Sequence, residues 1–307
     1  MVVTRAMTLH HGWMELQQLR YVVEVADTLS FTRAAERCFV TQSALSHQIA
    51  SLEREIGRRL FVRSSRSVRL SEAGQAFVEH ARIALRAAER AKEDAAAVDG
   101  VVEGTLRMGV IPTVTAIDVP AVLVAYRAAH PRVRVELQVG NSDVLTRRLR
   151  KDELDIALLG LRDGVDPVGV ASRALSRERL VAVFPQRHEL ALRNSIELED
   201  IAGMTFADFP AATSGRAQSD AAFAAAGLTR DVAFEADSAT LILGLVESGL
   251  AVSLLAPGTV ERSGFEVATA DVRDGPVRVE YLAWDISAPR NVARAFVAVM
   301  EAADLVT

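Results

Sequence analysis

Residues 31–57 read FTRAAERCFVTQSALSHQIASLEREIG. Ser30 stands where a first helix needs a cap, its hydroxyl able to accept from the free N–H groups of the first turn. Phe31, Ala34, Ala35 and Cys38 then recur at helical spacing as an apolar stripe. Phe39 and Val40 make a short connection, and Thr41 caps a second helix. In that helix Leu45, Ile49, Leu52 and Ile56 follow at steps of four, three and four, which is one face. Gln42, Ser43, Ser46 and His47 occupy the opposite face near its start, and Gly57 suits the C-terminal cap. Two short helices joined by a tight turn can be an ordinary hairpin with one solvated face. They can also be a helix-turn-helix whose polar face enters the major groove of DNA.

The surroundings favour the second reading. Between residues 31 and 70 eight arginines face three glutamates, a local charge of +5 in a chain whose net charge is −5. A basic patch on an acidic protein is the electrostatic footprint of a polyanion site. Leu60 to Leu70, LFVRSSRSVRL, reads as strand, polar turn and strand with arginines at the tips, a β-wing able to grip the backbone beside the groove. Arg33, Arg63, Arg66 and Arg69 are the expected phosphate contacts. Gln42, Ser43, Ser46 and His47, with Thr41 at the helix start, are expected to face bases or nearby backbone.

From Met14 to about Arg82 the chain resembles the N-terminal domain of LysR-type transcriptional regulators. The resemblance is carried by Leu19-Arg20, Ser30-Phe31-Thr32-Arg33-Ala34-Ala35, Gln42-Ser43-Ala44-Leu45-Ser46, Leu52-Glu53, Gly57, Leu60-Phe61-Val62-Arg63 and Leu70-Ser71-Glu72-Ala73-Gly74. Ser43 stands where that family commonly has proline, and His47 where arginine is frequent. Both lie on the groove-facing helix and bear on which operator is read.

At 307 residues, half of them hydrophobic and about a quarter charged, the chain has room for two or three globular domains. It holds no apolar run long enough to span a bilayer. Residues 1–13, MVVTRAMTLHHGW, lack the apolar core of a secretory signal and are expected to be a disordered upstream extension, with His10 and His11 incidental. Cys38 is the single cysteine, so no intrachain disulfide can form. That suits a reducing cytoplasm, the expected location, and a buried structural role is expected for the thiol.

A winged helix-turn-helix over 14–71 would be followed by a linker helix over 72–100. Phe77, Ala81, Ala84, Ala88, Ala91, Ala95 and Val98 alternate at four and three, a heptad seam flanked by charges. Such a seam can pack on its own domain, but alanine lets two helices approach closely and suits a pair. The family resemblance implies the same, since its linker helix is a dimerisation coiled coil. A homodimer would present two recognition helices to an inverted repeat of half-sites about one helical turn apart.

Beyond Gly104 the pattern changes to alternating strands and helices over 104–307. Leu106–Ile111, Val133–Val139 and Leu154–Leu159 read as strands around helices at 119–130 and 142–151, a βαβαβ order that implies a parallel sheet with covering helices. A second unit begins near Glu178, with strands at 180–184, 205–208, 232–236 and 252–255 and helices at 214–226 and 240–248. A strand at 277–284 and a helix at 289–303 return to the first unit. The expected lobes are therefore about 104–172 with 277–303, and about 176–274, crossing over near 171–176 and 274–276. LRMGVIPT, LDIALLG, ERLVAVFPQRHEL and LGLVESGLAVSLLAP resemble the effector domain of LysR-type regulators, which shares the two-lobed α/β fold of type II periplasmic binding proteins.

In such folds ligands sit between the lobes at the carboxyl ends of strands, where helix N-termini supply donors. Those positions here are Pro112, Thr113, Val114, Asn141, Ser142, Gly160, Leu161, Phe209 and Pro210. They are expected to line a cleft for a small-molecule effector, an anionic one being suited to hydroxyls and helix dipoles. Thr113, Asn141 and Ser142 can equally serve as helix caps alone. No catalytic triad, zinc spacing or phosphate loop stands out, so no cofactor, metal or enzymatic activity is expected. The leading expectation is an effector-controlled DNA-binding regulator. A cytoplasmic solute-binding protein and an unresponsive architectural DNA binder are the alternatives. The resemblance further implies a homotetramer, contact with RNA polymerase, autoregulation and a divergent neighbouring promoter.

Overall fold

The computed structural model describes residues 14–63, 67–97, 101–286 and 289–302. They form two compact units that divide between Lys92 and Glu93. That boundary falls inside the expected linker helix, not at its ends.

The first unit begins with α1 (Leu16–Thr28), which the sequence periodicity did not single out. α2 (Phe31–Arg37) and α3 (Gln42–Ile56) follow, then β1 (Phe61–Arg63) and β2 (Val68–Leu70), and then α4 (Glu72–Ala97). The caps are those the sequence suggested. Ser30 accepts from Arg33 N, Thr41 accepts from Ala44 N, and Gly57 takes the left-handed φ of 71° that ends α3. Val22, Val25, Phe31, Ala35, Leu45, Ile49, Leu52 and Leu60 close one core beneath α2 and α3. Ile56 departs from the expected stripe and is 37% exposed, because the last turn of α3 runs past this core. Cys38 caps α2 and packs half-buried against this core, a partial form of the buried structural role expected for it.

The wing is an antiparallel pair with Phe61 opposite Leu70. It is pinned to α3 by Glu53, whose Oε1 accepts from Leu60 N at 2.8 Å and Phe61 N at 3.2 Å. Gly74 lies so close to β1 that a Cβ would fall 2.0 Å from Leu60 O. Along α4 the front of the heptad seam is used within this unit. Ala81 is buried against Leu19 and Val23 of α1, with Phe77 and Ala84 beside it. Ala88 is half-buried, and Ala91 and Ala95 are exposed. Val98 lies outside the described residues, as do residues 1–13.

In the second unit β3 (Gly104–Val110), α5 (Val119–Ala129), β4 (Val133–Val139), α6 (Ser142–Arg150) and β5 (Ile156–Arg162) give the expected βαβαβ, with β3 parallel to both β4 and β5. β6 (Ala171–Arg179) leads into β7 (Val181–Pro185), a 3-10 turn (Glu189–Leu192), β8 (Ser195–Ile196), α7 (Leu198–Ala202) and β9 (Thr205–Asp208). α8 (Ser214–Ala225), β10 (Asp231–Glu235), α9 (Ala239–Glu247), β11 (Ser253–Leu255), α10 (Pro257–Glu261) and β12 (Val267–Val272) follow. β13 (Val277–Trp284) and α11 (Asn291–Ala302) complete the order.

The first-lobe sheet runs β4-β3-β5-β13-β6, and β13 is antiparallel to both of its neighbours. The sheet is therefore mixed, because β13 returns from the second lobe and runs against the other four strands. The expected crossover at 171–176 is corrected by β6, which occupies 171–179 and pairs along the whole of β13. The chain crosses at Leu180, whose N–H donates to Pro276 O at 2.9 Å and so joins the two crossings. α11 returns Val292, Phe296 and Met300 to the core of Leu106, Met108 and Tyr126. The second lobe packs the sheet β11-β7-β12-β8 and the parallel pair β9 and β10, bridged at Phe206 and Val252.

Candidate functional sites

On α3, Thr41, Gln42, Ser43 and His47 are exposed and Ser46 is half-buried, back to back with fully buried Leu45, Ile49 and Leu52. Thr41 spends its oxygen on the cap and sits 3.1 Å from the Ser43 hydroxyl. Gln42 Nε2 donates to Ser46 Oγ at 2.8 Å. Arg33 is turned back to donate to the Thr28 carbonyl. The Arg63 guanidinium lies over the Phe31 ring, 3.8 Å from its centre, which fixes the direction of the side chain. Arg69 is exposed on β2, and Arg66 lies outside the described residues. Arg54, Arg58 and Arg59 were counted in the basic patch but not named as contacts. With Arg63 they rim a shallow depression beside the C-terminal end of α3.

A cleft of about 320 Å³ in the second unit brings together seven of the nine residues expected from strand ends: Pro112, Thr113, Asn141, Ser142, Gly160, Phe209 and Pro210. Val114 and Leu161 are not among its walls. Val114 packs into the cores on both faces of the first-lobe sheet. Strand alternation sends Leu161 with Ala157 and Leu159 onto the α6 face, where it is buried. Thr113 is not a helix cap, because Asp118 caps α5 by accepting from Ala121 N. Asn141 does cap α6, accepting from Val144 N at 3.0 Å. The Ser142 hydroxyl is committed to Gly160, donating to its carbonyl and accepting from its N–H at 2.9 Å each.

The cleft also has polar walls that strand-end reasoning missed. Arg278 of β13 is 3% exposed, and its Nη1 donates to Thr113 Oγ1 at 2.8 Å. Its Nη2 is ion-paired with both Glu178 and Glu280. The Thr115 hydroxyl sits between these carboxylates, 2.9 and 2.8 Å from their oxygens, and Glu280 also accepts from Thr115 N and Ala116 N. The two lobes touch at the rim. Asp143 on α6 accepts from Ser214 N and Ser214 Oγ at the start of α8, both at 2.8 Å. Exposed Arg262 reaches Thr115 O at 3.1 Å.

Two further ionic clusters are buried. Arg290 binds Glu93 and Asp155, and burial pushes the Asp155 carboxyl up against the opposing pull of Arg290. Arg230 lies 2.7 Å from both Asp208 and Asp220, and burial pushes Asp208 up to about 6. Among the described residues no group of three or more His, Cys, Asp or Glu is placed to hold a metal ion. No described helix is long and apolar enough to cross a membrane.

Comparison with known proteins gives this geometry its family. Residues 16–75 match the family described as bacterial regulatory helix-turn-helix protein, lysR family, and residues 99–304 match the LysR substrate binding domain. The Hca operon transcriptional activator HcaR of Escherichia coli is 32% identical over 292 residues, covering 94% of this chain and 97% of its own. Full-length OxyR from Pseudomonas aeruginosa superposes with a TM-score of 0.67 at 28% identity, covering 93% of this chain and 95% of that one. Full-length CbnR complexed with its target DNA gives a TM-score of 0.70 over 94% of this chain and 99% of that one, and at 23% identity it speaks to the fold alone. These proteins are regulators rather than enzymes. The chain therefore belongs to the LysR family of bacterial helix-turn-helix transcriptional regulators, with an N-terminal DNA-binding domain and a C-terminal effector-binding domain.

Proposed function

We propose that the exposed start of α3 reads operator DNA and that a small molecule held in the interlobe cleft controls it. The observation that carries the DNA reading is the exposed polar face of Gln42, Ser43 and His47 over a fully buried Leu45, Ile49 and Leu52, beside a wing that presents Arg63 and Arg69. Arg33, Arg63, Arg66 and Arg69 hold phosphates, while Gln42, Ser43, Ser46 and His47 face bases or nearby backbone. Thr41 fixes the start of the helix.

The rear of the α4 seam, Ala88, Ala91, Ala95 and Val98, pairs two copies into a homodimer that reads an inverted repeat. Association of dimers into a tetramer, contact with RNA polymerase and a cytoplasmic location complete the proposal. The effector biases lobe geometry and hence the spacing of the DNA contacts, and by linkage DNA biases effector affinity equally.

Fluorescence anisotropy on the DNA upstream of the protein's own gene tests the first claim. Specific binding should survive excess unrelated competitor, and equal displacement by any sequence overturns it. Sedimentation of the full chain tests the second, since α4-mediated pairing should weaken in Ala91→Glu and a monomeric native chain overturns it. For the cleft, a ligand that binds the full chain should lose affinity in Thr113→Ala and Asn141→Ala, and unchanged affinity in both overturns the placement.

A further inference from the structure

We infer that Arg54, Arg58, Arg59 and Arg63 form one phosphate-binding site, which takes the DNA backbone bordering the groove that the start of α3 enters. This rests on the proposed DNA reading, and adds to it Arg54, Arg58 and Arg59 and a place on the duplex. The four arginines rim the depression at the end of α3, whose other walls are Ala50, Glu53, Gly57 and Phe61. Local structure gathers them. Gly57 turns the chain out of α3, and Glu53 holds the following strand to the helix through Leu60 N and Phe61 N. Arg54 stands before that turn, Arg58 and Arg59 just after it and Arg63 at the end of β1.

The charge gathered there is not neutralised. Arg54 Nε donates to Ala50 O and Arg58 Nη1 to Gly57 O, each at 3.3 Å, and Arg63 lies over the Phe31 ring. These partners are neutral and leave most of the guanidinium donors available. Among the described residues none of the four arginines is ion-paired with a carboxylate. Elsewhere arginines take carboxylates, as Arg148 takes Glu153 at 3.0 Å and Arg273 takes Glu197 at 2.7 Å. Glu53 is the carboxylate among the walls, so four guanidinium groups against it leave the depression at +3. Like charges held together repel, and a polyanion relieves that repulsion. Guanidinium groups suit phosphate because their paired N–H donors match its oxygens.

The helix itself indicates which polyanion. Ser43, His47, Ala50 and Arg54 are all exposed and follow at four, three and four. The face that carries the base-reading residues therefore runs straight into the depression. Arg54 lies about 16 Å along the axis from Ser43 at 1.5 Å per residue. A helix whose first turn touches base edges has by then left a major groove about 8.5 Å deep and 12 Å wide, and has reached the level of the phosphates. All four arginines are exposed and the depression is shallow, which suits a passing backbone better than an enclosed small anion.

Anisotropy titrations of the full chain against the upstream DNA test this. Arg58→Ala and Arg59→Ala should each make the slope of log K against log salt shallower by about one, on specific and unrelated DNA alike. Arg58→Lys should keep the native slope, and so should Arg187→Ala, which removes an exposed arginine of the second unit. Duplexes with single neutral methylphosphonates then locate the contact. One or two positions at the edge of each half-site should cost the native chain about fivefold or more, and cost the Arg58→Ala/Arg59→Ala chain nothing further. If the double variant keeps the native slope and the native sensitivity at every phosphate, the site is not on DNA and the inference falls while the DNA reading stands. If inorganic triphosphate raises the native Tm and not the double variant's, with that slope unchanged, the site takes a small anion and the inference likewise falls. If the native chain binds no DNA in a salt-dependent way, the DNA reading falls with it.

Discussion

Arg290 Nε donates to Glu93 Oε2 at 3.1 Å in a buried cluster of three that also includes Asp155, 2.9 Å from Arg290 Nη1. Glu93 belongs to α4, so this cluster ties the end of that helix into the second compact unit. Gly104 is packed against it at a φ of 113°, where a Cβ would fall 2.1 Å from Glu93 Oε1. Removing the guanidinium leaves two buried carboxylates without a cation, which costs about 3–5 kcal/mol. Arg290→Met is therefore expected to destabilise the second unit by about that much in urea unfolding. Asp155 is already raised by burial and would rise further without Arg290. Stability tied to a raised carboxyl is present at low pH and lost as pH rises, so the deficit should be larger at pH 8 than at pH 5. An equal deficit at both would show that the carboxylates are not what the arginine serves.

Phe39 adopts a φ of 55° and is 94% exposed. A left-handed conformation costs a residue with a bulky side chain about 1–2 kcal/mol, and asparagine tolerates it. No described residue of the first unit covers the ring to offset that cost. Phe39→Asn should therefore raise stability by about 1 kcal/mol, measured as a Tm increase of a few degrees. A Tm at or below that of the parent would show that the turn is not strained by its side chain.

Asp208 is buried beside Arg230, and burial pushes its carboxyl from 3.8 to about 6 while the arginine opposes the shift. The folded chain holds this proton longer than the unfolded chain does. The stability it contributes is complete below the ordinary 3.8 and is lost as pH rises through about 6. The raised value corresponds to about 3 kcal/mol across that window. Unfolding free energies at intervals from pH 4 to 7 should fall more steeply for the parent than for Asp208→Asn. Parallel curves would rule out a buried, proton-holding Asp208.

The parts of the molecule legible in advance are those whose evidence is local. The caps at Ser30, Thr41 and Gly57 and the steps from Leu45 to Leu52 are matters of neighbouring residues, and α3 follows from them. β13 runs Val277–Trp284 as its apolar run suggests. β6 was misread as a crossover because ASRALSRER is rich in arginine and forms a sheet edge, with only one half-covered face to mark it. β12 depends on pairing with β7, and the two-residue β8 on pairing with β12, which no short window records.

The cleft divides along the same line. Residues directly after strands, such as Thr113, Asn141 and Phe209, follow from topology alone. Arg278, Glu178 and Glu280 meet because two strands about 100 residues apart pair antiparallel, with Arg278 opposite Glu178. No spacing rule reveals that register. Val114 and Leu161 were misplaced because a strand-end rule gives the neighbourhood and not the face.

The groove-facing helix offers a separable pair of substitutions. Arg69 is exposed on the wing, and as a phosphate contact it serves every sequence alike. Arg69→Ala should weaken specific and nonspecific DNA by similar factors and make the slope of log K against log salt shallower by about one. Gln42 differs because its amide N–H is already given to Ser46 Oγ at 2.8 Å in the DNA-free protein. Reaching a base exchanges that bond for another, so the gain falls toward the low end of the roughly 1–3 kcal/mol typical of a direct base contact. Gln42→Ala should therefore relax preference at one position of each half-site by about 1 kcal/mol and leave the salt slope unchanged. Ser46→Ala frees the Gln42 amide beforehand and should sharpen that same preference. Anisotropy titrations over operators varied one base pair at a time separate the two residues. A Gln42→Ala protein that loses affinity equally on every operator would make Gln42 a positioning residue like Arg69.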